Sequence, residues 1–314
     1  MAETTSNTRP AAFRGKLSGI FSNPVTVKEL RSRMRGRRAF VVLTLYLLVL
    51  SAAIIFVNLV YVSSGSYPGN TMTRTAGKGL FAAILGVQVL LVTFIGPAFT
   101  AAAVSGERER QTFDLLRTTL LSADAFVLGK LISSLSYILL LVVVSIPLQS
   151  IAFLLGGLSG VELILSQVLI LIAAITYALY GLWCSAAMRS TLTATVATFS
   201  GTLFVTFGIP TIAFIGLLIF GSMGFMTGSS LTTSVEIALV YIGLALAATN
   251  LPATLLISEI FLLERDTLIG ATETIVTRSL WLPSPWILFI IFHVAAAIIF
   301  YIAAVRRVRR VSDV

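Results

Sequence analysis

Seven stretches of almost unbroken apolar residues dominate this chain, at 40–62, 80–104, 131–155, 163–188, 192–219, 237–263 and 286–305. A helix needs about 20 residues to cross the hydrocarbon of a bilayer, and its backbone polar groups must bond internally while it does so. The pattern predicts an all-α polytopic membrane protein. Composition agrees: 57% of the 314 residues are hydrophobic and only 11% are charged, more apolar than a soluble core requires. The single cysteine, Cys184, excludes an internal disulfide, and its apolar neighbours assign it to packing.

Charge placement sets the expected topology. The net charge of +9 does not form a face with interleaved aromatics, so it argues against nucleic acid; the basic residues flank the apolar runs instead. With both ends cytoplasmic, 18 of the 22 Lys and Arg fall inside, and Arg74, Lys78, Arg265 and Arg278 fall outside. That asymmetry predicts six spans, which excludes one run. The run at 237–263 is interrupted by Asn250-Leu251-Pro252, leaving halves of about 12 residues, too short to cross singly. It is expected to form a re-entrant or interfacial helix hairpin on the outer side. A competing reading splits the fifth run at Gly208-Ile209-Pro210 and gives eight spans. Pro97, Pro147 and Pro210 predict bends in the second, third and fifth runs, and Gly86, Gly96 and Ala101 to Ala103 allow close packing of the second.

Residues 1–22 are polar and irregular and are expected to be a cytoplasmic tail. Asn23-Pro24 then reads as a cap and first-turn proline. The helix they open, 23–38, carries Lys28, Arg31, Arg35 and Arg38 around Val27, Leu30 and Met34. Such a helix lies on an acidic lipid surface.

Between the second and third runs lies the most charged part of the chain's middle, GERERQTFDLLRTTLLSADAFVLGK from Gly106 to Lys130. Its position predicts a water-facing loop, 106–125, with a short amphipathic helix around Phe113, Leu115 and Leu116. Ser122 before Asp124 reads as an N-cap with an acidic first turn. The succession Glu107 to Glu109, Thr112 to Asp114, Thr119 to Ser122 and Leu128 to Lys130 resembles the first cytoplasmic loop of type-2 (ABC-2 type) ABC transporter permeases. Gln111 stands where that family commonly has glycine, Leu120 replaces the proline of its turn, and Ala123 to Ala125 lack its charged triplet. The resemblance implies a single permease domain over 23–314, in which helix 23–38 is the elbow helix and 106–125 carries the coupling helix. It also implies a dimer with a second or homologous permease and a transport path along the shared interface. Two separate ATPase subunits would hold ATP and Mg and dock on Glu107, Glu109, Thr112, Phe113, Asp114, Leu116 and Arg117. The implied location is the cell membrane, with both termini cytoplasmic.

The chain's own residues offer no catalytic chemistry. Gly129-Lys130 lacks the upstream glycine of a phosphate loop, and Gly156 to Gly160 reads as a short outer turn. No residue cluster has metal-ligand spacing. His293 and Glu259 are the candidates to line a path, each weighed against a structural role. Two other classes compete with an ABC exporter subunit, an ion-coupled secondary transporter and a structural membrane anchor. The first normally shows inverted repeats or mid-membrane ionisable pairs, and neither is visible in the sequence. The cargo is not legible.

Overall fold

The computed structural model describes residues 37–63, 70–111, 122–156, 158–227, 233–265, 268–275 and 278–312. The expected tail, the expected elbow positions Lys28, Arg31 and Arg35, and Thr112 to Arg117 lie outside these residues; Arg38 falls in the first turn of the first helix. The described elements are α1 (Arg37–Ser63), α2 (Asn70–Thr100), α3 (Ser105–Glu109), α4 (Ala123–Leu154), α5 (Gly160–Ala187), α6 (Thr191–Leu203), a π-helical turn (Phe204–Gly208), α7 (Ile209–Thr227), α8 (Thr233–Ala248), α9 (Leu251–Arg265), β1 (Gly270–Ile275), β2 (Arg278–Pro283) and α10 (Pro285–Ser312). Among the described residues, six helical segments are long and apolar enough to cross a membrane, and α8 with α9 forms a bent pair. The chain is therefore a helical protein with the character of a multi-pass membrane protein.

Caps decide where the spans begin. Ser122 accepts a hydrogen bond from Ala125 N, which starts α4 eight residues before its apolar run and places Asp124 in the first turn. Ser159 and Glu162 form a reciprocal capping box that opens α5, directly after the turn in which Gly156 adopts φ +72°. α5 is the central helix. It packs most extensively on α10 and then on α2, α4 and α6, and buries Leu169, Ile170, Ala173, Ala174 and Tyr177. α1 is peripheral, held by Tyr46 and Leu50 against Ile84, Tyr137 and Leu141.

The fifth run does not split into two spans: Thr191–Gly216 passes as one helical segment. α6 passes into α7 through the π turn, where Ile209 N bonds Phe204 O and Pro210 supplies no N–H to the carbonyls before it. The missing donor comes from elsewhere. Asn250, fully buried, donates through Nδ2 to Val205 O at 2.8 Å and Thr206 O at 2.7 Å. Its Oδ1 accepts from Ala253 N and caps α9. α8 and α9 meet there at a bend of 119°, so the vertex of the pair sits against the middle of the fifth span. Both arms pack on α10, and Tyr241 of α8 bonds Trp281 O beside the start of that helix.

The expectation of an all-helical chain needs one correction. β1 and β2 pair antiparallel between α9 and α10, from Gly270 opposite Pro283 to Ile275 opposite Arg278. Alternation explains the strands: Ala271 and Leu282 face inward together, while Trp281 is exposed. Strands of six residues each carry no long apolar run that would mark them in the sequence.

Amides and hydroxyls join the helices inside the bundle. Gln88 Nε2 on α2 donates to Ser145 Oγ on α4 at 2.5 Å, and Gln149 and Gln167 donate to Gln88 Oε1 at 3.2 and 3.3 Å. In lipid such contacts serve as interhelical glue, because the polar groups have no water to return to. Close approach does the rest. A Cβ on Gly181 would strike Thr100 Oγ1 and lie 3.1 Å from both Thr100 Cβ and Thr198 Cγ2, so only glycine lets α2, α5 and α6 meet there. Gly181→Ala is expected to lower stability by about 1–3 kcal/mol through overpacking, and adding Thr100→Ala to recover much of it. Thermal unfolding of the three proteins checks this; no recovery in the double variant would refute the contact.

Candidate functional site

One group of charged residues, Glu107, Arg108, Glu109, Asp124, Lys130 and Arg309, gathers where α2 and α5 end, α4 and α6 begin, and α10 ends. After α2 the backbone turns at Ala101 to Val104 and enters α3. Ser185 Oγ near the end of α5 receives Val104 N and Ser105 N at 2.9 and 3.0 Å, so a side chain satisfies amides that a helix start leaves open. Three consecutive residues of α3 then reach three different helices.

Glu107 pairs with Lys130 of α4 at 3.1 Å; the lysine is nearly buried, and its ammonium lies 5.5 Å from the centre of the Phe126 ring. Arg108 donates to Ala186 O at 2.9 Å and Met188 O at 3.3 Å, closing the C-terminus of α5, where carbonyls lack partners and the helix dipole favours a cation. Glu109 does the opposite for α6. Its carboxylate accepts from Thr191 N at 2.7 Å and from Thr191 Oγ1 at 2.8 Å, at a helix start that favours an anion. A fourth contact secures α10, as Arg309 and Tyr301 both reach Asp124 at 3.4 Å. The alternation Glu-Arg-Glu thus suits two helix ends of opposite polarity and one buried ammonium.

Gln111 leaves this clamp with φ 56°, in the left-handed region where a side chain is strained. Glycine would adopt this backbone conformation without that cost.

Of the residues expected to dock a partner, Glu107 and Glu109 lie in this cluster with internal partners; Thr112, Phe113, Asp114, Leu116 and Arg117 fall outside the described residues. The two path candidates are not brought together. Glu259 lies on α9 beside Glu162 and Lys78, on a small cleft that also meets Ser258. His293 lies on α10, buried against Phe289, Phe292 and Tyr177. Sequence reasoning missed Ser185, Thr191 and the bridging amide of Asn250. The available signals were a serine and a threonine flanking the Met188-Arg189 break, and an asparagine beside a proline inside an apolar run.

No family model matches the chain, and no curated protein matches it.

Gln111→Gly is expected to stabilise the protein by about 1 kcal/mol, the left-handed cost of a side chain less the added freedom of an unfolded glycine. A raised unfolding midpoint checks it; a lowered one would mean that the glutamine side chain contributes more than its backbone costs.

Proposed function

We propose that this chain is the membrane-spanning permease subunit of an ATP-driven ABC exporter. It works as a dimer with a second copy or a homologous permease, and it is driven by two separate ATPase subunits that hold ATP and Mg. One observation carries the reading: Glu107, Arg108 and Glu109 tie the segment entering 112–121 to α4, α5 and α6 at once. A force applied to that segment reaches three spans through short charge-assisted bonds, as a coupling element requires. The order of motifs from Glu107 to Lys130 supports the same reading. On this account Glu107 and Glu109 fix the handle to the spans, and Phe113 and Leu116 meet the ATPase. The basic end of the bundle, with Arg306, Arg307, Arg309 and Arg310, faces the cytoplasm of a cell membrane.

Anchor residues carry most of the binding at a small interface. Phe113→Ala is therefore expected to weaken association with the ATPase by on the order of 2 kcal/mol while leaving the melting temperature unchanged. Arg108→Ala is expected to lower the melting temperature, because it uncaps α5. Co-purification of the ATPase alongside thermal unfolding checks both. A Phe113 variant with unchanged association and lowered stability would overturn the docking role.

A further inference from the structure

Between α5, the bend of the fifth span and α10 lies a cleft of about 240 Å³. Tyr177 and Tyr180 of α5, Gly201 and Phe204 of the fifth span, and Phe292 and His293 of α10 supply most of its wall. It lies about halfway along α5 and α10. At its wall the Tyr180 ring packs directly over Gly201, where a Cβ would strike it, and the π turn Phe204–Gly208 begins beside it.

The lining has a consistent chemistry. No charged side chain borders the cleft, so a charged ligand would find no counter-ion there. Six aromatic or imidazole rings, with Phe300 the sixth, offer faces and edges to a planar guest. The hydroxyls at its wall are already bonded: Tyr177 with Thr206, Tyr180 to Ala197 O, Thr176 to Ile172 O and His293 O, and Thr202 to Thr198 O. His293 is different. It is 1% exposed, its ring stacks on Phe289 at 3.8 Å, and Nδ1 lies 3.2 Å from Phe289 O. A carbonyl only accepts, so Nδ1 carries the hydrogen, and in the neutral ring Nε2 is left as an acceptor with no partner among the described residues. Such a group in an apolar wall calls for a donor.

Size and access narrow the guest further. A cavity of about 150 Å³ admits benzene, so this one suits about two fused rings. Phe204 and Phe292 stand at the rim with 55% and 48% of their surface exposed on the outside of the bundle, which opens the cleft sideways.

We propose that this cleft binds a neutral, planar aromatic molecule of about two fused rings bearing one hydrogen-bond donor, which enters from the lipid and is read by His293 Nε2. The site stands whether or not an ATPase drives the chain. The test uses the full-length protein in lipid nanodiscs, with 2-naphthol and naphthalene as probes and empty nanodiscs as the background for partitioning. Saturable binding of one 2-naphthol per chain is expected, about tenfold tighter than naphthalene, the factor one hydrogen bond provides. His293→Phe keeps the ring and removes the acceptor, so it should erase the preference while naphthalene binding persists. Ala296→Leu, at the wall, should weaken both probes about tenfold. Uptake no greater than in empty nanodiscs would overturn the proposal in the unaltered protein, with no variant needed. So would displacement of 2-naphthol by decane at equal concentration, which would make this an acyl-chain groove, or a donor preference that survives His293→Phe.

Discussion

A carbonyl without a donor is costly in a lipid-facing bundle, because no water is available to replace the lost bond. Pro210 creates that problem in the middle of the fifth span, because it brings no N–H to the carbonyls before it, at a π turn in which Ile209 N bonds Phe204 O. Asn250 answers with both hydrogens of one amide and uses its oxygen to start α9. One side chain thus completes a span it does not belong to, turns α8 into α9 and fixes the depth of the pair's vertex. Thr206 also meets Tyr177, so the same bend is registered against the central helix α5. The aromatic cleft lies beside this turn, with Phe204 and Val205 in its wall.

The opposite control lies at the charged end. There the spans are held by groups that water can also solvate, and each contact is individually modest when exposed. Their value is geometric. Glu107, Arg108 and Glu109 lie on one short helix and reach α4, α5 and α6, so the ends of these spans move with α3 or break with it.

How much of this the sequence carried depends on distance along the chain. The apolar runs gave the six long helices, Ser122 and Asp124 gave the start of α4, and Asn250-Leu251-Pro252 gave the break between α8 and α9, because these features are local. Pro210 announced a bend but not its repair, since Asn250 lies 44 residues from Thr206. Glu107 and Glu109 were recognisable as a motif; their partners Lys130 and Thr191, 23 and 82 residues away, were not. The β1–β2 hairpin escaped because its strands are six residues each and carry no long apolar run, too short an alternation to stand out between two apolar runs. The residues expected to touch a partner, from Thr112 to Arg117, remain defined by their order in the sequence.

The dependence of the fifth span on Asn250 is measured most directly by a double-mutant cycle with Pro210. Asn250→Ala alone removes the hydrogen bonds to Val205 O and Thr206 O and the cap of α9, and is expected to cost about 2–4 kcal/mol of stability. In a Pro210→Ala background the restored N–H bonds one of those carbonyls within its own helix, and the cost of Asn250→Ala should fall by about 1 kcal/mol or more. An equal cost in both backgrounds would contradict the account, because Asn250 would then be stabilising the turn into α9 alone.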